Sequence, residues 1–293
     1  MAAIVAYRWR AASGVRHAAG WAFREADWRK QVRGCRVLYF GERHEASALR
    51  DAQIEVLREW ASFDRWTPAA LVLEMFTPEQ QHVLERWGQT PADDLKREYE
   101  STGGDFDLFH YAPLLDAAAA TGVRLLAGFP PRTAARRLVG AGEDAPERKE
   151  LKEMHRLIGA GLTADHFQLF AAMIAGAPLQ SFEGDEVPQR GGNIFPAQCW
   201  KDLVCARVVY EALQTQRVMV VTGCGHTDFG LGVPCRVEAL ANEDLWSGEH
   251  TQVPYQVPLR QVLITAREKG ECLVDSFRGH KLADLVVEYD PQV

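Results

Sequence analysis

Paired cysteines are missing from this chain. Its six cysteines include no C-x-x-C pair, which argues against zinc ribbons and zinc fingers. The C-x-x-C-H motif of a covalently attached c-type haem is absent as well. Six cysteines among 293 residues are also too few for a disulfide scaffold. We therefore expect the thiols to be reduced.

Long apolar runs and several common catalytic motifs are missing too. No stretch of about 18 uninterrupted apolar residues is present, so we expect no transmembrane segment. The chain has no P-loop, no G-x-G-x-x-G and no G-x-S-x-G elbow. His44 begins an H-E-x-x-H look-alike, but Ala48 stands where the second histidine belongs. Zincin chemistry is thereby excluded.

An overall positive charge is absent, and the basic residues that exist are unevenly placed. The net charge of -7 argues against a general nucleic-acid binder, which needs a basic surface. Residues 1–40 nevertheless carry eight Lys or Arg against two acidic residues. We predict a basic arm over residues 1–34, either a transit-peptide remnant or an ordinary solvated arm. A single domain would follow over 35–293, in the cytoplasm or an organelle (plastid or mitochondrion) rather than secreted.

Short apolar runs alternate with helical patterns along the chain. Buried strands are predicted at 37–40, 71–73, 123–127 and 218–221, and shorter strands at 233–240, 259–265 and 285–289. Helical spacing occupies 46–61, 105–121, 144–177 and 195–216. Such alternation predicts an α/β fold with a mainly parallel central sheet flanked by helices. The region around 144–216 is too helical for a simple βαβ unit, so we interpret it as a helical insertion.

Polar, reactive clusters directly follow the four main strands. Because ligands bind outside the carboxyl ends of parallel strands, we expect these clusters to form one shared site. Glu42 and His44 follow the first strand, and period two places both on one side of an extended chain. Together they supply a metal-ligand pair or an oriented base. The alternative is a turn at Gly41 with solvated charges.

Glu74 and His226 are the other two main candidates. Glu74 lies between apolar residues, where a carboxylate is costly to bury unless it is paired, protonated or metal-bound. A structural ion pair with Arg43 or Arg132 is the alternative. His226 ends the tight turn that follows the fourth strand, and its alternative is a structural core histidine.

Weaker candidates surround these groups. An aromatic patch at Phe106, Phe109, His110 and Tyr111 could stack on a planar cofactor, although helical spacing also suits core packing. Arg132 could clamp a carboxylate over the site or simply begin a helix. Gln198 and Asp202, one helical turn apart, could support the site groups or belong to a solvated face.

Several segments, in order, resemble the ChaN-like haem-binding proteins of the Tiki/TraB and erythromycin-esterase-like superfamily. They are Gly41-Glu42-Arg43-His44, Leu73-Glu74-Met75-Phe76, Tyr111-Ala112-Pro113-Leu114, Pro131-Arg132, the helix from Gln198 to Asp202, and Gly225-His226. The resemblance spans about residues 35–238. It implies an α/β fold with the Glu and His positions at the strand ends, and a role in binding haem or iron.

Three interpretations of function follow. The first is a haem- or iron-binding protein with Tyr111, His110, Arg132 and Gln198 near the haem, and Tyr111, Tyr99 or His110 as iron ligand. The second is a metal-dependent hydrolase in which Glu42, His44, Glu74 and His226 hold Mn, Fe, Co or Zn or activate water. The third is an inactive scaffold. A small-molecule ligand is the expected partner, and a homodimer is left open.

Overall fold

The computed structural model describes residues 20–64, 66–176, 179, 192, 194–247, 259–271 and 274–291. Residues 1–19 of the predicted basic arm, and residues 177–178, 180–191 and 193 within the predicted helical insertion, lie outside these described residues.

A seven-stranded sheet forms the centre of the molecule. Its strands are β1 (Trp21–Phe23), β2 (Val37–Glu42), β3 (Ala69–Leu73), β4 (Arg124–Ala127), β5 (Arg217–Gly223), β6 (Gln261–Glu268) and β9 (Leu285–Tyr289). They lie in the order β1-β9-β6-β2-β5-β3-β4. Every neighbouring pair is parallel except β1 and β9, which are antiparallel. The predicted α/β fold with a mainly parallel sheet is confirmed.

Helices cover both faces of this sheet. They are α1 (Trp28–Val32), α2 (Ser47–Phe63), α3 (Gln81–Glu85), α4 (Ala92–Ser101), α5 (Leu108–Ala120), α6 (Arg132–Val139), α7 (Pro146–Ile158), α8 (Ala160–Ala175), α9 (Phe195–Leu213) and α10 (Val233–Ser247). A small hairpin pairs β7 (Ser276–Phe277) with β8 (His280–Lys281). Every residue of the central strands β2 and β5 is buried, which explains their continuous apolar sequences.

The predicted helical insertion corresponds to α7, α8 and α9. One side of α9 packs on the sheet, where Cys205 and Val209 join a core with Val218 and Val220 of β5. Its first half packs instead with α7 and α8, because Phe195, Cys199 and Leu203 share a second apolar cluster with residues of those helices. The region therefore both returns the chain to the sheet and adds a helical layer over one face.

Two sequence predictions need correction. The predicted strand at 233–240 is the first half of α10, because its buried residues Val233 and Val237 recur with helical spacing and face the sheet. Residues 20–34 of the predicted arm pack on the domain instead. Trp21 of β1 and Trp28 of α1 are each only 4% exposed, since burial of these large apolar side chains outweighs the basic character of the segment.

One finding concerns membranes. Among the described residues, no single helix has both the length and the apolar character needed to cross a bilayer. The pair α7 and α8, bent by 113°, passes the same test by length and composition alone.

Candidate functional site

The polar clusters meet at one edge of the sheet. Strand β5 lies between β2 and β3, and all three run in the same direction. Glu42 at the end of β2 is paired in register with Gly223 at the end of β5. Glu74 follows β3 directly, and its backbone N–H donates to the carbonyl of Val221. The strand ends therefore bring the predicted site residues together.

Glu42 is a buried carboxylate with three donors. Its side chain is 2% exposed. Oε1 accepts hydrogen bonds from the Tyr111 hydroxyl at 2.6 Å and from His44 Nδ1 at 2.9 Å. Oε2 accepts from the side-chain amide of Gln53. Burial and the charge of Glu42 raise the pKa of Tyr111 far above its usual value, so this hydroxyl stays protonated and acts as a donor.

Glu74 is the second carboxylate of the site. Oε2 accepts from the Thr222 hydroxyl at 2.6 Å and from the Gly223 backbone N–H at 2.7 Å. Oε1 lies 3.5 Å from Nε2 of His226. Burial raises the pKa of Glu74, but the charge and hydrogen bond of His226 outweigh it, and the pKa falls well below the usual range. Glu74 is thus an anion held by β5 and His226.

His226 lies between two carboxylates. It is 6% exposed and follows β5 in a 3₁₀ turn over Cys224–His226. Its Nδ1 is 2.5 Å from Oδ1 of Asp202 on α9. Burial lowers the pKa of His226, but Glu74 and Asp202 together raise it to about 9. His226 is therefore a buried imidazolium at neutral pH.

His44 connects the two halves of the site. Its Nδ1 donates to Glu42, and its Nε2 lies 3.9 Å from Oε2 of Glu74. Burial lowers the pKa of His44, but the hydrogen bond to Glu42 and the charge of Glu74 outweigh it and raise the pKa. Its side chain is 37% exposed. His44 is thus the more accessible of the two imidazoles.

Carboxylates and imidazoles alternate across these strand ends. The chain runs from Glu42 through His44, Glu74 and His226 to Asp202, with successive contacts of 2.9, 3.9, 3.5 and 2.5 Å. All four main sequence candidates belong to it. Such an alternating series can hold and exchange protons, because each imidazole faces an acceptor on either side.

Asp202 is the member of this chain that the sequence identified only weakly. It is fully buried, and its Oδ2 lies 3.6 Å from Nε2 of His166 and 3.8 Å from Nη1 of Arg236. Arg236 also donates to the carbonyls of Leu231 and Gly232 at 3.2 and 2.8 Å. Asp202 is thereby held between a permanent cation and an imidazolium.

His166 and Arg236 were missed by sequence reasoning altogether. Both lie in apolar helical stretches, α8 and α10, where a single polar residue is usually read as surface. Burial and the charge of Arg236 together lower the pKa of His166 to about 3. Arginine is rarely fully buried in proteins, so a buried Arg236 would have stood out as a site residue. The sequence could have indicated that burial only through the helical phase of α10.

The main candidates adjoin one another without forming a metal site. Among the described residues, no group of three or more His, Cys, Asp or Glu side chains has an arrangement that could hold a metal ion. The reason lies in the contacts, since both nitrogens of His226 face carboxylates and Glu42 is saturated by donors. Among the described residues, the metal ion expected for a metal-dependent hydrolase therefore has no set of ligands.

A cleft opens beside Glu74. Its volume is about 160 Å³. Aromatic, basic and small residues line it, among them Phe106, Phe129, Pro131, Arg132 and Lys201. The Phe129 ring also packs edge-on against His226, with centroids 4.8 Å apart. The cleft therefore joins an apolar surface to the charged chain.

Two cations border this cleft. Arg132 pairs with Asp105 at 2.6 Å and lies 5.5 Å from the centre of the Phe106 ring. Lys201 lowers the pKa of Glu74 through its charge. Within the part of the chain described here, Lys201 has no ion-pair partner. Arg132 is not paired with Glu74, which was the structural alternative considered for that carboxylate.

The remaining candidates lie around the chain. His110 is half-buried, with its ring edge-on to Tyr111 at 4.9 Å. Gln198 approaches Nδ1 of His226 at 3.0 Å through its side-chain amide. Tyr99 is 1% exposed and donates its hydroxyl to the carbonyl of Met75 at 2.8 Å.

Fold and site together define an α/β protein with a charged Glu/His chain at the carboxyl edge of its sheet. The chain belongs to the family described as haem-binding uptake, Tiki superfamily, ChaN, whose model matches residues 28–237. This range includes every member of the alternating chain.

Three solved structures align with this chain, and the first of them supports the fold. One that describes cofacial heme binding to ChaN of Campylobacter jejuni aligns with a TM-score of 0.61 and 14% identity, over 90% of this chain and 91% of that one. The type III effector HopBA1 aligns at 0.42 and 13%, over 87% and 88%. The erythromycin esterase EreC in its open conformation aligns at 0.43 and 13%, over 89% and 78%. No curated protein matches the sequence.

Proposed function

We propose that this chain binds haem at the cleft beside Glu74. Membership of the ChaN family supports this function. The observation that carries it is the pairing of an aromatic surface, Phe106 and Phe129, with the cations Arg132 and Lys201 around a single opening. Haem is a planar apolar ring that bears two carboxylates, so it needs both kinds of contact.

The cations suit the haem propionates. Arg132 offers a planar guanidinium that can bind a carboxylate with two parallel hydrogen bonds. Lys201 offers an ammonium without an ion-pair partner among the described residues. A bound propionate would supply that partner. Arg132 lies 5.5 Å from the centre of the Phe106 ring, and Lys201 lines the same cleft, so one ligand can contact both groups.

The size of the cleft limits how much of the haem it can enclose. Its volume of about 160 Å³ is below the roughly 300 Å³ at the lower end of pockets that enclose drug-sized ligands. We therefore expect haem to lie across the opening and to enter it only in part. The half-buried Phe106 would then stack on an exposed ring face.

A haemin titration followed at the Soret band tests this function. We expect a saturable shift with the unaltered protein and roughly tenfold weaker binding for Phe106→Ala, about the loss expected for one good aromatic contact. Phe63→Ala is the matched control, because Phe63 is 53% exposed and lies near Gly34 before β2, at the opposite edge of the sheet. Absence of a saturable shift in the unaltered protein would contradict the proposal.

A second candidate function is hydrolysis by general acid–base chemistry at the same site. The observation that favours it is the alternating chain itself, since haem binding alone does not require two imidazoles that share one carboxylate. His44 would take a proton from water, and the series of carboxylates and imidazoles would disperse the charge. A panel of ester substrates tests it, with Glu74→Gln against the exposed Glu79→Gln. Equal turnover in the two variants would exclude this chemistry.

A further inference from the structure

The cleft beside Glu74 contains carboxylates as well as cations. Among the described residues that line it, Glu74 and Asp105 are acidic, and Arg132 and Lys201 are basic. The formal charges of these four side chains cancel. A ligand that brings a carboxylate to this opening therefore meets cations whose charge is already balanced.

Glu74 is a fixed part of the opening. Its side chain is only 9% exposed, and its Oε2 accepts hydrogen bonds from the Thr222 hydroxyl and the Gly223 backbone N–H. The imidazolium of His226 lies beside its other oxygen. Because these partners belong to the interior of the protein, Glu74 stays in place when a ligand binds.

Asp105 differs from Glu74 because its side chain is exposed and is paired with a cation of the cleft. Its carboxylate is 42% exposed and lies 2.6 Å from Nη1 of Arg132, which is itself 53% exposed. Within the described part of the chain, Arg132 is the one ion-pair partner of this carboxylate. An exposed ion pair contributes little to stability, so an incoming carboxylate can replace Asp105 at low cost.

The backbone fixes Asp105 at this position. The chain leaves α4 through Gly103, which has a φ of +85°. It then passes so close to Tyr99 that a Cβ atom at Gly104 would overlap the ring. Two residues after Asp105, the side chain of Asp107 caps the start of α5. The main chain is therefore held on both sides, and only the Asp105 side chain has to rotate away from Arg132.

Arg132 offers one guanidinium to two kinds of carboxylate. A guanidinium binds a carboxylate in a planar arrangement with parallel hydrogen bonds. Its central carbon lies 5.5 Å from the centre of the Phe106 ring, on which we expect haem to lie. A propionate of that haem and the carboxylate of Asp105 therefore compete for the same cation.

We infer that Asp105 is a resident counter-ion of Arg132, and that it determines how strongly the cleft prefers a carboxylate ligand over the corresponding uncharged ester. A carboxylate ligand gains the contact with Arg132 only when the contact with Asp105 is broken, whereas an ester leaves the pair intact. Asp105 thereby weakens the binding of haem and favours its release. This inference rests on the proposed function, since it concerns the propionate contact of the same cleft.

Parallel titrations of the full chain with haemin and with haemin dimethyl ester test the inference. The ester has the same ring and the same iron but lacks the propionate charges. We expect Asp105→Asn to bind haemin about two- to fivefold more tightly than the unaltered protein, the change that corresponds to one exposed ion pair. The affinity for the ester should be the same in both proteins.

Asp94→Asn is the matched control. Asp94 also forms an exposed ion pair, with Arg97 on α4, but neither residue lines the cleft. We expect this variant to bind haemin and its ester with the affinities of the unaltered protein. A gain in haemin affinity equal to that of Asp105→Asn would assign the effect to net charge and overturn the inference.

A second pair of variants separates displacement from simple repulsion. When Arg132 is replaced by Gln, no guanidinium is left for the two carboxylates to share. Asp105→Asn should therefore increase haemin affinity less in Arg132→Gln than in the otherwise unaltered protein. An equal increase in both backgrounds would show that Asp105 only repels the propionate, and would contradict its role as a counter-ion.

The outcomes distinguish this inference from the function on which it rests. Saturable haemin binding that is unchanged in Asp105→Asn would overturn the counter-ion and leave haem binding intact. An equal gain in affinity for haemin and for its ester would do the same. No saturable binding by the unaltered protein would overturn both.

Discussion

Nδ1 of His226 lies 2.5 Å from Oδ1 of Asp202, and both side chains are buried. This contact joins the carboxyl edge of the sheet to the helical layer, since His226 follows β5 and Asp202 lies on α9. It fixes the orientation in which Nε2 faces Glu74. The charge of His226 therefore depends on Asp202, which belongs to the helical layer and not to the strand ends.

Asp202→Asn should lower the pKa of His226. Burial lowers this pKa, and the two carboxylates raise it to about 9. Removal of one carboxylate should bring it down by roughly one unit or more, the usual effect of a single close charge. Titration of the His226 ring by NMR measures the change. Asp165→Asn, which removes the partner of the more exposed His280, is the control and should leave His226 unchanged.

The same pKa predicts how stability depends on pH. The folded-state pKa of His226, about 9, exceeds the ordinary histidine pKa of 6.5. Its contribution to the free energy of unfolding is therefore fully present below pH 6.5 and is lost as the pH rises through about 9. Urea unfolding of the unaltered protein and Asp202→Asn at pH 6 and pH 9.5 tests this. Equal pH dependence in the two proteins would contradict it.

Arg236→Met should be strongly destabilising. Arg236 is fully buried, and it faces the buried Asp202 carboxylate and two backbone carbonyls. Removal of one partner of a buried charge pair costs about 3–5 kcal/mol. Arg207→Met is the matched control, because Arg207 pairs with Glu150 on the surface, where about 0–1 kcal/mol is expected. Similar free energies of unfolding for the two variants would contradict the role of Arg236.

Tyr111→Phe should cost about 1–3 kcal/mol of stability, because it leaves one acceptor position of the buried Glu42 carboxylate unfilled. Tyr289→Phe is the control. Among the described residues, its hydroxyl makes a long contact of 3.4 Å with Glu268, an exposed carboxylate. Chemical denaturation measures both changes, and an equal loss in the two variants would show that the Glu42 contact contributes nothing particular.

Gly41→Ala should be destabilised by about 1–3 kcal/mol, as expected for an overpacked core position. A Cβ atom there would lie 2.5 Å from the Thr227 hydroxyl oxygen and 3.1 Å from Cα of Cys224. The turn that carries His226 would have to move away from β2. Gly140→Ala is the control, because nothing lies within 4 Å of its Cβ position. Thermal unfolding measures the stability of both variants. Equal unfolding midpoints would contradict the packing argument.

The sequence predicted the sheet and the site edge well for a physical reason. Strands buried on both faces read as continuous apolar runs, so β2 and β5 were visible directly. Each apolar run is followed directly by polar residues, and parallel strands bring their carboxyl ends to the same edge of the sheet. The proximity of Glu42, Glu74 and His226 followed from this topology without any knowledge of the helices.

The parts that the sequence did not reveal depend on helix phase and tertiary contact. The start of α10 contains Val233, Val237 and Leu240 in a short apolar segment that strand and helix patterns share. Asp202 and Arg236 meet only because α9 and α10 pack together. The close approach of Gly223 to His44 likewise depends on how two strand ends pack together.

The most direct test of haem binding is a haemin titration that compares the unaltered protein with Lys201→Glu and Lys30→Glu. Lys201 lines the cleft, whereas Lys30 is exposed on α1. We predict saturable binding by the unaltered protein, unchanged binding by Lys30→Glu and at least about tenfold weaker binding by Lys201→Glu, because a propionate would then face a like charge. Equal affinity in all three proteins, or no saturable binding in any of them, would contradict haem binding at this cleft.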